Sequence, residues 1–364
     1  MATSLADIQA ALRNSGNPWT AGRTSVSELS DSDKRLRLGA NSPELETRLA
    51  VAKAERHVRG AGAYPAAFDW RNVNGANYIT PIEDQGGCGS CVAFGTVATL
   101  EAAYQVNRGD PNSGIDLSEA QLFYCYAEAK DGMSCSTGWW PDNAFKYAVG
   151  DGITLAKYFP YTAGDQACNL LPGWDSALLY PSAYHTISDT SQMKDWLANH
   201  GPLSTCFTVY DDFFNYTSGV YTPTTTSVAG GHCVSVVGYD DSGGYWIAKN
   251  SWGTGWGESG FFCIAYGVCG FDAGMWAVDG FADTGWMANA KIAGLFAWSG
   301  GADCWVYVDA SGSAYPDMGG WKMIANDSDE ITITLFSQLI AAKAAGRPVS
   351  LYRENGVIKQ EYVF

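Results

Sequence analysis

At Gly201-Pro202 the chain changes its periodicity. Between Tyr64 and that point, apolar residues recur at helical spacing in Thr96–Arg108, in SEAQLFYCYAEA from Ser118, and in Asp142–Val149. Beyond it the apolar segments are short and set between Gly-rich turns: PLSTCFTVY, HCVSVVGYD, YWIAKNSW and GFFCIAY read as strands. One segment cannot serve both patterns, because side chains return to the same face every ~3.6 residues in a helix and every ~2 in a strand. A helical half followed by a strand half predicts an α+β body of two lobes.

That body spans residues 63–280 and is flanked by material of different character. Residues 1–62 carry 9 basic and 7 acidic side chains, net +2, whereas residues 63–280 carry 7 and 22, net −15. The first segment predicts a helix over Ser4–Asn14, capped by Ser4 with Asp7 in its first turn, and a charged helix near Glu44–His57. It offers little core material. Either it is a solubilising extension, or it is an inhibitory propeptide whose cationic surface docks on an acidic unit. Residues 281–364 read as a separate β-rich module. Strands are expected at IAGLFAW, CWVYVD and ITITLF, a helix at FSQLIAAKAAG ending on Gly346, and a hairpin in PVSLYRENGVIKQEYVF. That order fits a small OB-like barrel and, as fold analogy only, toxin B-subunits.

Charge narrows the partners. A net −16 over 364 residues repels nucleic acid and anionic membrane surfaces. No run reaches the roughly 18 apolar residues of a membrane span. Ten cysteines favour secretion or another oxidising compartment, although MATSLADIQAALRNSG lacks the basic and apolar regions of a signal peptide.

The chemistry concentrates in Gln85-Gly86-Gly87-Cys88-Gly89-Ser90-Cys91-Val92-Ala93-Phe94, a Gly-rich turn feeding a helix that begins about Cys91. A helix N-terminus sets partial positive charge and unpaired N–H groups beside the sulfur, which favours the nucleophilic thiolate. The Cys91 N–H and the Gln85 side-chain amide are candidate donors to an oxyanion. A thiolate needs a base, and the chain has four histidines: His57, His185, His200 and His232. The first lies in the charged extension, the second in a connecting segment, and the third ends a helix. His232 instead opens the apolar strand CVSVVGY, where an imidazole without a partner is costly. Asn250 follows 18 positions later in KNSWGTGWG, able to accept from the ring and fix its tautomer, with Trp252 as a cover against water.

QGGCGSC before Val-Ala-Phe, GGHCVSVVGYDD and YWIAKNSWGTGWGESGFF together resemble the three active-site blocks of papain-like cysteine proteases. The resemblance covers residues 63–280 and implies a helical lobe and a β-barrel-like lobe with a cleft between them. It assigns Cys91 as nucleophile, His232 as acid/base, Asn250 as its orienter, Gln85 to the oxyanion hole and Trp252 as cover. It also pairs Cys88 with Cys135 and Cys125 with Cys168, and it places Gly138, Trp139, Cys206 and Gly230 at the substrate. The short leading segment and the appended module suggest a bacterial-looking variant. The chain departs from the family at Val92, where Trp is usual, at Gly230-Gly231, and at Cys135-Ser136-Thr137-Gly138, which keeps only the last Gly of the family's turn.

The activity implied is peptide-bond hydrolysis by a cysteine endopeptidase made as a zymogen, its own N-terminal segment acting as inhibitor and a protein or peptide as substrate. Two alternatives stay open: a papain-fold transpeptidase or amidase acting on a specific partner, and a binding protein whose C-terminal module takes a glycan or protein ligand. Cys88 and Cys91 also form a C-x-x-C, but the second pair of a zinc site and the βαβ setting of a redox dithiol are missing, so neither metal nor cofactor is expected. No mate is assigned to Cys206, Cys233, Cys263, Cys269 or Cys304, and buried free thiols account for most of them.

Overall fold

The computed structural model describes residues 4–40, 64–281, 285–297, 304–309, 320–324, 329–354 and 357–363. The charged helix expected near Glu44–His57 lies outside the described residues.

The helical lobe is built on α3 (Cys91–Arg108), with α4 (Pro141–Asp151) beside it. All of Cys91–Gln105 is buried, so the helix is wrapped on every side rather than amphipathic. It stops at Gly109, whose φ of +63° is a left-handed C-terminal cap. The segment after Ser118 is helical as expected, but Gln121–Glu128 winds as a π-helix, a geometry that spacing alone does not announce.

In the second lobe the strands β3 (Tyr184–Ile187), β4 (Leu203–Tyr210), β5 (Tyr216–Tyr221), β6 (Val228–Asp240), β7 (Tyr245–Lys249), β8 (Phe261–Ala265) and β9 (Met275–Val278) form one sheet. Its order is β1-β5-β8-β7-β6-β4-β9-β3, where β1 (Trp19–Ala21) comes from the N-terminal segment; β2 (Ala67–Asp69) pairs off this path with β6. His185, read from sequence as part of a connecting segment, belongs to β3 and bonds Asp279 through Nδ1 at 2.9 Å.

The lobes meet where α3 crosses β6. Gly95 makes the crossing possible, since a Cβ there would sit 3.1 Å from the Val234 nitrogen. Four residues on, Thr99 Oγ1 donates to Ser235 Oγ at 2.9 Å. This contact fixes the first half of α3 against the middle of β6.

A buried polar cluster lies on the same seam. Lys249 Nζ donates to Thr80 Oγ1 at 2.9 Å, and Thr80 Oγ1 donates to Glu101 Oε2 at 2.6 Å. Glu119 is buried nearby, its carboxyl raised well above the usual range by burial and then by Glu101. Burial also pushes Glu101 up to about 7, against the pull of Lys249. A carboxyl whose pKa is higher folded than unfolded contributes stability that is complete below the unfolded value and is lost as pH rises through the folded one. Glu101 is therefore expected to add more to the midpoint of thermal unfolding at pH 5 than at pH 8, read as the difference between the native protein and its Glu101→Gln variant. Scanning calorimetry of both proteins across that range checks it.

The C-terminal module is a closed five-stranded barrel. Its strands β10 (Gly285–Ala297), β11 (Cys304–Asp309), β12 (Gly320–Ile324), β13 (Val349–Glu354) and β14 (Val357–Val363) run in the order β10-β11-β12-β14-β13. All pairs are antiparallel except β12 with β14. Ile292, Val306, Val308, Ile324, Val349, Leu351 and Ile358 fill its core. The barrel closes as the OB-like expectation requires, but one assignment inside it was wrong. ITITLF is not a strand. It is the first half of α6 (Asp329–Ala345), and the third strand is Gly320–Ile324. The alternating β-branched residues imitate a strand, yet Leu335, Leu339 and Ala342 are buried at helical spacing and decide the outcome.

Candidate active site

The turn before α3 is held from several sides. Gly86 has φ +61°, Gly86 N donates to Asp84 Oδ1 at 2.9 Å, and Gly89 N donates to Cys135 O at 2.8 Å. A disulfide joins Cys88 to Cys135, and a second joins Cys125 to Cys168. Cys91 thereby occupies the first position of α3 as a buried free thiol.

His232 stands in β6, and its Nε2 meets Asn250 Oδ1 at 2.7 Å. An amide oxygen only accepts, so the ring carries its proton on Nε2 and offers Nδ1 as the basic nitrogen. Nδ1 has no hydrogen-bonded partner among the described residues. Trp252 lies over the imidazole with ring centroids 4.7 Å apart and is 1% exposed, which keeps water from the His232–Asn250 bond. Ser251 N also donates to Asn250 Oδ1 at 2.8 Å, fixing the amide from behind.

Gln85 is tied by both ends of its amide. Ser251 Oγ donates to its Oε1 at 2.7 Å, while its Nε2 donates to Cys88 O at 2.8 Å and to Arg37 O at 3.2 Å. Tyr161 OH donates to the Gln85 backbone oxygen at 2.8 Å and shares a 2.8 Å hydrogen bond with Ser90 Oγ. Ser251 and Tyr161 were not singled out from sequence. Their roles depend on distant chain segments meeting, which no local motif signals.

The cleft is filled by the chain's own N-terminal segment. Gly39 N donates to Cys91 Sγ at 3.2 Å, Trp139 N donates to Gly39 O at 2.7 Å, and Ala40 N donates to Gly231 O at 3.1 Å. Gly39 has no room for a side chain: a Cβ would lie 1.8 Å from Gly89 O. Gly138, with φ +68°, is pressed equally close, its hypothetical Cβ 1.9 Å from Gly39 O. Arg37 Nη1 pairs with Asp84 Oδ1 at 2.6 Å, and Arg35 Nη1 donates to Ala229 O at 3.0 Å, so cationic residues of the segment do meet the acidic body.

A second attachment lies away from the cleft. α1 (Leu5–Asn14) starts on a Ser4–Asp7 capping box, and β1 extends the sheet by pairing with β5. Trp19 is 2% exposed, its ring 5.3 Å from that of Tyr221, and its Nε1 donates to Thr222 O at 2.8 Å.

Covering the cleft changes its electrostatics. Burial pushes the Cys91 thiol up to about 11, although backbone N–H groups, first among them that of Cys233, work against it. Burial pushes His232 down to about 4, opposed by the Asn250 hydrogen bond. In this form both groups are neutral near pH 7, and the thiolate–imidazolium pair is suppressed.

One sequence assignment needs correction. Cys206 and Cys233 are not free thiols; they face each other across β4 and β6 and form a third disulfide. Trp139 meets Gly39 through its backbone N–H, while its Nε1 donates to Asp131 Oδ2 at 2.8 Å and its ring stacks on Tyr147. Gly230 lies in β6 opposite Val209, next to the Gly231 that touches Ala40.

The family described as papain family cysteine protease matches residues 64–278. The chain belongs to the papain family. Pro-cathepsin H of Mus musculus is 36% identical over 236 residues, covering 63% of this chain and 69% of that one. The oryzain gamma chain of Oryza sativa subsp. japonica is 34% identical over 264 residues, covering 70% of each. Among solved structures, a digestive procathepsin L2 proteinase from Tenebrio molitor larval midgut superposes with TM-score 0.61 at 27% identity, over 75% of this chain and 88% of that one. The procathepsin B S9 of Trypanosoma congolense, at 24% identity and TM-score 0.63 over 76% and 97%, shares the fold. This papain-family chain is accordingly a thiol-dependent peptide hydrolase, and its body has the family's two-lobed α+β fold.

Proposed function

We propose that the chain is the zymogen of a cysteine endopeptidase in which Cys91, His232, Asn250 and Gln85 carry the chemistry, residues 1–62 form the inhibitory segment, residues 63–280 the catalytic unit and residues 281–364 an appended module. The observation that carries this reading is that residues 37–40 touch, in one cleft, a free cysteine at a helix N-terminus, a side-chain amide donating to a carbonyl oxygen, and the strand residue next to an imidazole oriented by an amide. With the cleft open, His232 Nδ1 takes the thiol proton and the thiolate attacks the peptide carbonyl carbon. Gln85 Nε2, now bonded to Arg37 O, and the Cys91 N–H then receive the oxyanion. Protonated His232 gives its proton to the departing amine, leaving a thioester that water hydrolyses.

The test is hydrolysis of an unstructured peptide by full-length protein after limited proteolysis, with and without an epoxide thiol trap. Turnover that ignores the trap overturns the proposal. Gln85→Ala removes one oxyanion donor and is expected to lower kcat by roughly 10²–10³-fold with little change in KM. Steady-state kinetics on the activated protein reads both numbers.

A partner for the barrel belongs to the same proposal, a protein or glycan held on its closed OB-like strand order. Binding of the full chain to a glycan array, compared with the chain truncated before residue 281, tests the glycan half. The short leading segment and the appended barrel underlie the bacterial-looking reading; the relatives named above are eukaryotic and lend it nothing.

A further inference from the structure

The turn from Gln85 to Ser90 carries one proposed oxyanion donor at each end, the Gln85 side-chain amide at its start and the Cys91 N–H just after it. A single hydroxyl bridges the two ends. Tyr161 OH lies 2.8 Å from the Gln85 backbone oxygen and 2.8 Å from Ser90 Oγ. A carbonyl oxygen only accepts, so the one phenolic proton goes to Gln85 O, and Ser90 Oγ must donate to Tyr161. Burial raises the Tyr161 hydroxyl above the ordinary tyrosine range, which keeps that proton in place.

Ser90 shows what this bridge displaces. It occupies the N-cap of α3, where a serine oxygen ordinarily accepts from an N–H in the first turn, yet it makes no such bond. Its hydroxyl is committed to Tyr161 instead. Tyr161 is itself fixed: its ring meets Phe94 of α3 edge to face at 4.7 Å and stacks on Tyr124 at 5.7 Å, and Tyr124 OH donates to Thr162 O at 2.6 Å. Gly86 lies against the same stretch, since a Cβ there would sit 2.7 Å from Ala163 Cβ. From the other side Gln85 N donates to Ser251 O at 2.9 Å. Both the N–H and the C=O of Gln85 are thus held, and the hold on the C=O is the one that reaches across to the residue before Cys91.

We infer that Tyr161 is a positioning residue for peptide hydrolysis, its hydroxyl setting the spacing between the Gln85 amide and the Cys91 N–H so that both donors meet one oxyanion. The inference rests on the protease reading of Cys91 given above. Among the described residues Tyr161 bonds neither Cys91 nor His232, so its influence is exerted through the turn.

Tyr161→Phe keeps the ring contacts and takes the hydroxyl from Gln85 and Ser90, both 0% exposed. With the full chain activated by limited proteolysis, kcat for an unstructured peptide is expected to fall about 10–100-fold with KM within ~2-fold of native, since a displaced donor costs less than an absent one. A peptide aldehyde, whose thiol adduct sets an oxygen between the two donors, should lose affinity by a similar factor. Alkylation of Cys91 by iodoacetamide forms no oxyanion, and its rate should change less than ~3-fold. A spacing has meaning only while both donors exist, so in the Gln85→Ala background the further loss from Tyr161→Phe should shrink to under ~3-fold. Ser90→Ala cuts the same bridge at its other end and should lower kcat about 3–10-fold with KM again unchanged; it carries the test alone if Tyr161→Phe does not fold. The inference is overturned by a Tyr161→Phe kcat within ~3-fold of native, by alkylation slowed as much as turnover, by an undiminished loss in the Gln85→Ala background, or by an unaltered kcat in Ser90→Ala. Native activated chain that shows no turnover, or turnover indifferent to a thiol trap, overturns the protease reading and this inference with it; where native turnover is trap-sensitive, the variants decide on Tyr161 alone.

Discussion

Cys91→Ser is expected to abolish peptide hydrolysis, lowering kcat by roughly 10⁴–10⁶-fold, while leaving the fold and the docked N-terminal segment in place. The size of the effect follows from the surroundings of the sulfur. The helix N-terminus and the surrounding N–H groups stabilise a thiolate, whose pKa starts several units below that of an alcohol, so the same environment cannot ionise a serine hydroxyl to a useful extent. Side-chain volume hardly changes, and the Gly39 N–H keeps an acceptor at position 91. The comparison is active-site kinetics on activated native and variant protein, with near-UV circular dichroism to establish that packing is unchanged. Residual turnover within tenfold of native would remove Cys91 from the mechanism.

Gly39→Ala acts in the opposite sense and should switch latency off. The added methyl would be placed 1.8 Å from Gly89 O, in a turn pinned by the Cys88–Cys135 bridge, so neither partner can yield without breaking the Gly39–Trp139 and Gly39–Cys91 hydrogen bonds. Overpacking of this kind costs about 1–3 kcal/mol, roughly 5–150-fold in the equilibrium between covered and open cleft. The measurable outcome is activity of the unprocessed chain rising by that factor. Alkylation of Cys91 by iodoacetamide should accelerate in parallel, because an uncovered thiol is no longer held near a pKa of about 11. Latency equal to that of the native chain would show that the segment does not restrain the site through residue 39.

Legibility in the sequence followed the range of the interactions. Cys91, His232, Asn250 and Gln85 could be picked out because each sits in a compact block whose local geometry carries its meaning: a turn into a helix, a strand opening on an imidazole, a Gly-rich turn after an amide. Helix and strand textures were readable for the same reason. ITITLF misled because local alternation and tertiary burial point to different structures, and burial won. The Cys206–Cys233 bridge was invisible because two cysteines 27 residues apart reveal a pairing only once the register of β4 on β6 is known. The setting of the Trp139 ring depends on Asp131 and Tyr147, which arrive from a loop and a helix with no shared motif.

The two separate attachments of the N-terminal segment, Trp19 against Tyr221 and Gly39 over Cys91, make the segment a bivalent ligand of its own enzyme. Scission anywhere in residues 41–63 severs the covalent connection but breaks neither attachment. Each anchor then holds the other at a high local concentration, and a segment that lets go at one point is recaptured before it leaves. Cutting and activation are thus distinct events: hydrolytic activity should lag behind the appearance of the cleaved chain on a gel, and the fraction finally activated should rise on dilution.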